Sequence, residues 1–249
     1  MDAPQGKAVA AVVRLPETTG VSVSIIIPVL NEAKRLEDTL RQLYSSLDDD
    51  PGFEIIVCDG GSLDDTVDRA RLFPCKLVAS GSGRALQMNT ASQEASGEWL
   101  LFLHADSQLP DVWFEQFDFQ CDWGFFPIKL SGATWPFRMI EAMMNLRSRI
   151  SRVATGDQGL FFRRSFFNRL QGYPDIPLME DVAMSKLARA QSAPVLASTA
   201  IVTSSRRWEV NGIINTLVLM WALRLAYFLG VSPDRLHRIY YPPEHQKTR

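Results

Sequence analysis

Four short apolar runs, each followed by polar residues or glycine, constrain the fold of this chain more than any other feature. They are Val21–Val29, Phe53–Cys58, Lys76–Ala79 and Trp99–Leu103. The segments between them carry apolar residues at helical spacing, as Leu36, Leu40 and Leu43 do after the first run. Because repeated alternation of strand and helix is typical of a mostly parallel sheet wrapped by helices, we predict an α/β fold.

Polar residues follow these strands at their carboxyl ends, where ligands bind in open α/β sheets. In Asp59-Gly60-Gly61-Ser62 after the second strand, a carboxylate can accept a hydrogen bond from a nucleobase N–H, and glycines allow close approach. A helix-capping turn explains that motif nearly as well. Asp106, after the fourth strand, can hold a hard divalent cation that bridges nucleotide phosphates. The alternative is that Asp106 only caps the next turn.

Charge is unevenly distributed along the 249 residues. Residues 1–124 carry 9 basic and 20 acidic side chains, a sum of −11, and residues 125–249 carry 17 and 8, a sum of +9. The net charge of −2 argues against a nucleic-acid partner. The basic half suits an anionic ligand or a lipid surface, unless the split only reflects solvated faces.

Cysteine usage and the N-terminus indicate the compartment. Cys58, Cys75 and Cys121 are odd in number and form no C-x-x-C pair, which is typical of a reducing environment. The apolar run Ala8–Val13 is too short for a good signal peptide. We therefore expect a flexible tail over residues 1–20 and a cytoplasmic protein, with peripheral contact at the inner membrane face as an alternative.

Taken together, the motifs resemble those of the family 2 glycosyltransferases, which have the GT-A fold. They are Pro28-Val-Leu-Asn-Glu32, Asp59-Gly-Gly-Ser62, Gly83-Arg84, His104-Ala-Asp106 and Glu180-Asp181. The resemblance covers residues 22–210, is strongest over 22–110, and looks closest to the small bacterial radical-SAM/selenodomain-associated transferases. It implies one GT-A domain over 21–249, with a nucleotide-binding half (21–110), an acceptor and catalytic half (111–210) and a helical extension (211–249).

The resemblance implies which residues bind the nucleotide sugar and its metal. Arg84 would lie near the phosphates, and Asp106 corresponds to the last Asp of the family's Asp-x-Asp metal motif. His104 stands at the first position of that motif, a departure from the pattern. It either binds the cation, Mn²⁺ more readily than Mg²⁺, or contacts the nucleotide without binding metal. The nucleoside pocket would be lined by Pro28, Asn31, Glu32, Asp59 and Gly60.

The resemblance also implies an inverting reaction with a carboxylate base. Asp181 would take the proton of the acceptor hydroxyl, with Glu180 orienting it or substituting for it. The alternative is a pair of acids that merely favour a helix N-terminus. The residues that would face the acceptor and the sugar are Gly156, Asp157 and Gln158, although an ordinary turn is the simpler interpretation of that stretch.

Two segments of the second half, one basic and one apolar, remain open to more than one interpretation. Arg206 and Arg207, beside Trp208, suit the oxygens of a diphosphate, or they are surface charges next to a buried indole. Ile213–Leu229 is apolar but too short to span a membrane. With Trp135–Arg152 it forms either a surface for a lipid-linked acceptor or membrane edge, or two core helices, or a homodimer interface.

The predicted function is transfer of a sugar from a nucleotide-diphosphate sugar to an acceptor hydroxyl, with Mn²⁺ or Mg²⁺ as cofactor. UDP is favoured on family frequency alone. One alternative is a nucleotidyltransferase that makes sugar nucleotides. That class usually carries a glycine-rich basic signature where this chain has Pro28-Val-Leu-Asn-Glu32. The other alternative is a non-catalytic sugar-nucleotide-binding protein.

Overall fold

The computed structural model describes residues 23–46, 52–110, 113 and 120–241. The tail predicted over residues 1–20 lies outside them. In the first half, four strands alternate with three helices as predicted, although α2 is shorter than the helix expected from about Asp64 to Leu72. The elements are β1 (Val23–Val29), α1 (Ala33–Ser46), β2 (Phe53–Asp59), α2 (Thr66–Ala70), β3 (Lys76–Ala79), α3 (Arg84–Gln93) and β4 (Trp99–Phe102).

The second half mixes short strands with longer helices. Its strands are β5 (Ser107–Gln108), β6 (Trp123–Phe125), β7 (Ile128–Leu130), β8 (Phe161–Arg163), β9 (Val195–Leu196) and β10 (Ile201–Thr203). Its helices are α4 (Trp135–Ser151), α5 (Arg164–Arg169), α6 (Glu180–Gln191), α7 (Arg206–Asn211), α8 (Ile213–Phe228) and α9 (Pro233–Tyr240). A single turn of 3-10 helix over Gly156–Gln158 precedes β8.

Seven strands form the central sheet, in the order β3-β2-β1-β4-β8-β6-β9. The first four are parallel, with Ile25 opposite Ile55 on one side and Leu101 on the other. β8 runs antiparallel to both β4 and β6, and β9 is parallel to β6. The predicted α/β fold with a mostly parallel sheet is therefore confirmed, and both halves of the chain contribute to that sheet.

Alternating side chains of β1 divide the core into two layers, as the two-residue period of a strand requires. Ile25 and Ile27 pack with Leu36 and other apolar residues of α1 on one face. Ile26 points to the other face, where it joins α3 and an aromatic group that includes Phe162. All three isoleucines are fully buried, which is why the strand is an unbroken apolar run rather than an alternating one.

The apolar stretch from Trp123 to Leu130 forms two strands that lie in different sheets. β6 belongs to the central sheet, whereas β7 belongs to a small sheet of order β5-β10-β7. The break falls at Phe126 and Pro127; the Phe126 N–H donates to the carbonyl of Gln158 (2.8 Å), and Pro127 has no N–H to continue the ladder.

The residues before α1 and α9 differ in their roles. Asparagine favours N-cap positions, yet Asn31 is not the N-cap of α1: its φ is +53°, the helix starts at Ala33, and its side chain bonds elsewhere. His237 lies in α9, whose Ser232-Pro233 start is a usual helix-initiating pair. No helix within the described ranges is long and apolar enough to cross a membrane.

Candidate functional site

The loops after β1 and β2 are joined by hydrogen bonds into one wall at the carboxyl edge of the sheet. The Asn31 N–H donates to Ser62 Oγ (2.9 Å), and Asn31 Oδ1 accepts from the Leu63 N–H (2.7 Å). The Glu32 N–H donates to Thr66 Oγ1 (2.8 Å), and the Glu32 carboxylate pairs with Arg35. The left-handed backbone at Asn31 turns the chain toward the second loop, which a helix-capping asparagine would not do.

Pro28 and Asp59 lie at the ends of the strands that carry this wall. Pro28, half-buried, is level with Cys58 of β2. The Asp59 carboxylate accepts hydrogen bonds from the N–H groups of Gly61 (3.0 Å) and Ser62 (3.1 Å). It thereby builds its own turn, yet it stays half-exposed. The Ser62 hydroxyl also donates to Asp59 Oδ1 (2.5 Å). A carboxylate has about four acceptor positions, so these three donors leave about one for a ligand N–H.

A residue that sequence reasoning missed, Gln87 of α3, fastens the ends of β1 and β2. Its buried amide Nε2 donates to the carbonyl oxygens of Val29 (2.7 Å) and Cys58 (2.9 Å). Gly60 makes this approach possible, because a Cβ there would lie 3.0 Å from the Gln87 amide. A glutamine within a helical pattern carries no signal for such a role, since its partners come from other elements.

Asp106 is suited to bind a cation, and His104 has a different partner. The half-buried Asp106 carboxylate makes no hydrogen bond or ion pair with any described residue. His104 Nδ1 lies 3.0 Å from Asp157 Oδ1, and its Nε2 faces Gly156, where an added Cβ would be 2.4 Å away. No cluster of three or more His, Cys, Asp or Glu side chains suited to a metal occurs in the part of the chain described. The Asp106 carboxylate, without a partner among the described residues, still suits a hard cation whose other ligands are oxygens of a bound nucleotide.

Asp157, predicted to face the acceptor and the sugar, lies beside His104. Burial would raise its pKa, but the hydrogen bond and charge of His104, with the charges of Arg84 and Arg207, outweigh burial. The pKa of Asp157 is therefore held well below its usual range, and the group is ionised over the physiological range.

The 3-10 turn ties the end of β4 to the start of α6. The Gly156 N–H donates to Asp181 Oδ2 (2.7 Å). Gln158, predicted to bond sugar hydroxyls, is fully buried. Its Oε1 accepts from Ser148 Oγ (2.7 Å), and its Nε2 donates to the Phe126 carbonyl (3.3 Å). We therefore correct its role: Gln158 holds the turn and does not face a ligand.

Glu180 and Asp181 open α6 with different surroundings. Met179, at φ +69°, turns the chain into the helix. Glu180 is buried, with its Oε1 3.8 Å from Arg84 Nη1, whereas Asp181 is half-buried. Burial and then the charge of Asp181 raise the pKa of Glu180, against the opposing effect of Arg84. The less buried carboxylate of the pair is thus Asp181, the predicted base.

Two arginines from α4 and α8 carry positive charge toward these carboxylates. Burial, and then the charge of Arg224, lower the pKa of Arg147 to about 10; Asp181 and Asp157 act in the opposite sense. Burial likewise lowers the pKa of Arg224. Neither guanidinium lies within ion-pair distance of a carboxylate among the described residues, and Arg147 Nε is buried without a hydrogen-bond partner. Sequence reasoning placed Arg147 and Arg224 only on a basic surface.

The Arg206-Arg207-Trp208 segment forms the start of α7. Trp208 is buried, and Arg206 is exposed. The Arg207 guanidinium stacks over the ring of Tyr240 in α9, 5.0 Å from its centroid, and its charge also contributes to lowering the Asp157 pKa. Arg207 therefore lies within electrostatic reach of the site, while Arg206 has no contact with it.

Residues 24–117 match the sequence model of the family described as Glycosyl transferase family 2. A PGL/p-HBAD biosynthesis glycosyltransferase of Mycobacterium bovis (strain BCG / Pasteur 1173P2) is 39% identical over 93 residues, which are 34% of this chain and 36% of that protein. Glycosyltransferase AglE of Haloferax volcanii is 32% identical over 101 residues, 38% of this chain and 33% of that protein. The matched segment thus spans about a third of the length of these curated relatives.

Solved structures share the fold over most of the chain. The Pyrobaculum calidifontis mannosyltransferase PcManGT, in complex with GDP-Man and Mn²⁺, has a TM-score of 0.57 at 22% identity, covering 74% of this chain and 57% of that one. S. aureus TarS 1-349 with UDP-GlcNAc has a TM-score of 0.59 at 21% identity, covering 74% and 58%. Glucosyl-3-phosphoglycerate synthase of Mycobacterium tuberculosis, with Mn²⁺, UDP-Glc and phosphoglyceric acid, has a TM-score of 0.55 at 17% identity, covering 74% and 72%.

These likenesses confirm the predicted GT-A fold. Residues 24–117 are similar to family 2 glycosyltransferases, and the named relatives are glycosyltransferases. The narrower resemblance, to the radical-SAM/selenodomain-associated branch, is not supported.

Proposed function

We propose, from the premise of a family 2 glycosyltransferase domain, that this protein transfers a sugar from a nucleotide-diphosphate sugar to an acceptor hydroxyl with inversion. UDP is the favoured nucleotide. The observation that carries the proposal is the link between the end of β4 and the start of α6. Asp157 lies 3.0 Å from His104, and the adjoining Gly156 N–H lies 2.7 Å from Asp181. A donor bound at the sheet edge and an acceptor bound at α6 would then lie on either side of the 3-10 turn over Gly156–Gln158.

The donor would lie along the wall formed by the loops after β1 and β2. Its nucleoside would contact Pro28, Asn31, Glu32, Asp59 and Gly60, and Arg84 would face the phosphates. Asp106 would hold Mn²⁺ or Mg²⁺, and the cation, when bound, would neutralise charge on the leaving diphosphate. The mannosyltransferase in complex with GDP-Man and Mn²⁺ and the synthase in complex with Mg²⁺ and UDP show that proteins of this fold bind a divalent cation with a nucleotide, which supports proposing one here.

Asp181 would act as the general base. In a single displacement the acceptor oxygen forms a bond to the anomeric carbon, the bond from that carbon to the diphosphate breaks, and the hydroxyl proton passes to Asp181. Hydrogen bonds from the N–H groups of Gly156 (2.7 Å) and Val182 (2.6 Å) hold the Asp181 carboxylate in place. The raised pKa of Glu180 limits the repulsion between the two neighbouring acids.

Donor binding is tested first by thermal shift with UDP, GDP, CDP, dTDP and their common sugar conjugates, each with Mn²⁺, Mg²⁺ or EDTA. A ligand at 100 times its Kd stabilises the folded state by about 2.7 kcal/mol, which such an assay detects. We expect a metal-dependent shift with one nucleotide class. Release of the nucleoside diphosphate in the presence of acceptor hydroxyls then tests turnover. A shift without turnover under any acceptor would favour a non-catalytic binding protein.

A further inference from the structure

We infer that the outer faces of α4 and α8 form a surface that binds an anionic lipid bilayer. We call it the α4–α8 surface and define it by exposed side chains of the two helices. Its members are Trp135, Met139, Leu146 and Ile150 of α4, Ile214, Val218, Leu219, Trp221, Leu225 and Phe228 of α8, and Leu229 directly after α8.

Five of the six exposed large apolar residues of α8 form a single stripe. Ile214, Val218, Trp221, Leu225 and Phe228 recur at intervals of three and four residues, which places them on one side of a helix. Their exposed fractions lie between 59% and 77%. The opposite side of α8 is the one that packs on the protein, through the buried Thr216 and Leu223.

α4 has the same arrangement and lies next to α8. Its exposed stripe faces away from the buried Phe137 and Ile140. Those two residues share an apolar cluster with Trp208 and with Ile213 and Leu217 of α8. The two helices therefore contribute to one apolar cluster through their inner faces, and no described residue covers their outer faces. This contradicts the alternative of two core helices.

The α4–α8 surface concentrates most of the exposed large apolar side chains. Of the 17 such side chains among the described residues, 11 belong to it. Exposed apolar side chains grouped in this number on two helices that share an apolar cluster are typical of an interaction site.

The charges around the surface favour an anionic bilayer over a second copy of the chain. Within residues 135–152 and 213–229 the acidic side chain is Glu141, which is buried and paired with Arg138 (3.0 Å). Arg149 and Arg152, by contrast, are exposed. Two copies joined through this surface would bring these arginines toward like charges, whereas anionic lipid headgroups would pair with them.

The dimensions favour a helix that lies in the membrane interface. α8 has 16 residues, fewer than the roughly 20 that a span needs. A helix with one strongly apolar face and tryptophan on it is suited to insert that face below the headgroups. Because α4 and α8 also carry Arg147 and Arg224, such binding would bring the candidate site close to the lipid headgroups.

The test is co-sedimentation of the full chain with vesicles of phosphatidylcholine alone and of phosphatidylcholine with an equal amount of phosphatidylglycerol. We expect binding to the anionic vesicles, at least tenfold weaker binding to the neutral ones, and weakening in high salt. The double variant Trp221→Ser/Leu225→Ser should reduce binding at least tenfold. The matched control Leu72→Ser/Leu187→Ser, also at exposed apolar positions, should bind as the wild type does.

Absence of binding to both vesicles, or equal binding by the two variants, would overturn the inference. So would a stable dimer in light scattering that the Trp221→Ser/Leu225→Ser variant dissociates while vesicles stay unbound, because the surface would then join two copies. The thermal shift with a nucleotide sugar is measured on each variant as well. Donor binding without vesicle binding refutes this inference alone, and vesicle binding without donor binding refutes the proposed function alone.

Discussion

At the scale of single residues, the candidate site separates its carboxylates by their surroundings. Asp106 has no partner among the described residues, Asp157 pairs with His104, Glu180 is buried, and Asp181 is held by backbone N–H groups. Each environment suits one task, so each substitution should change a different measurement.

Asp106→Asn should abolish the effect of metal on donor binding. The amide keeps the size of the side chain but removes the charge that attracts a hard cation. The measurement is the Kd of the nucleotide diphosphate with Mn²⁺ and with EDTA. Asp175→Asn, at an exposed position before α6, is the control. An unchanged difference between the two conditions would remove Asp106 from the site.

Asp181→Asn should keep donor binding and reduce transfer by roughly 10²-fold or more, the usual scale for loss of a general base. An amide cannot take the proton of the acceptor hydroxyl. The measurement is kcat with saturating donor, alongside the donor Kd. Near-normal transfer would assign the base to another group, and Glu180→Gln would then be the variant to compare.

The raised pKa of Glu180 should appear in the pH dependence of stability. Its ordinary value is 4.5, and burial with the charge of Asp181 raises it in the folded state. Between the ordinary and the raised pKa the folded state binds more protons than the unfolded state, so stability falls as pH rises through that window. Glu180→Gln removes this contribution. Urea unfolding of both proteins from pH 4 to 8 should show the variant gaining relative to wild type as pH rises; a constant difference would contradict the prediction.

At the scale of elements, the 3-10 turn over Gly156–Gln158 connects the end of β4 with the helices α4 and α6. Gly156 contacts the His104 ring on one side and bonds Asp181 on the other. Glycine is therefore needed at this position because a side chain would meet His104, and not because the backbone adopts a conformation that only glycine favours.

Gly156→Ala should displace either His104 or the turn, because the new Cβ would lie 2.4 Å from His104 Nε2. We expect a loss of about 1–3 kcal/mol in the free energy of unfolding, the usual scale of overpacking. In a protein that already carries His104→Ala, adding Gly156→Ala should cost much less stability than it does in the wild type, because the ring that the new Cβ meets is gone. Gly61→Ala, at a position with open space but positive φ, separates backbone strain from contact. Additive losses in the double variant would count against this account.

Much at this scale could be predicted from the sequence, for identifiable reasons. The first four strands are apolar runs with polar ends, so their positions and the placement of Asp59 and Asp106 at the sheet edge follow from local pattern. Pro127, which separates β6 from β7, and the pair Ser232-Pro233, which starts α9, are also local sequence signals. They are weaker signals than the apolar patterns around them. The contacts of Gln87 and the pair of His104 with Asp157 could not be predicted, because their partners lie 29 to 58 residues away in the chain.

At the scale of the whole molecule, the two halves of the chain share one central sheet and both layers of its core. Asn89 of α3 exchanges two hydrogen bonds with the backbone of Tyr173, each 2.8 Å, just before the loop that leads to α6. The basic half also carries the exposed face of α4 and α8. The loops after β1 and β2 and the start of α6 are thus positioned by the same core, while α4 and α8 expose apolar side chains.

An electrostatic interaction also connects these halves, because Arg84 Nη1 lies 3.8 Å from Glu180 Oε1. A diphosphate that draws the positive charge of Arg84 to itself would leave Glu180 with less compensation, and its affinity for a proton would rise. Donor binding should therefore be accompanied by proton uptake from the buffer. In calorimetry this appears as a binding enthalpy that varies with the ionisation enthalpy of the buffer, and Glu180→Gln should make the enthalpy the same in every buffer. Donor binding by the protein would then be coupled to protonation of Glu180, a group that does not itself contact the nucleotide.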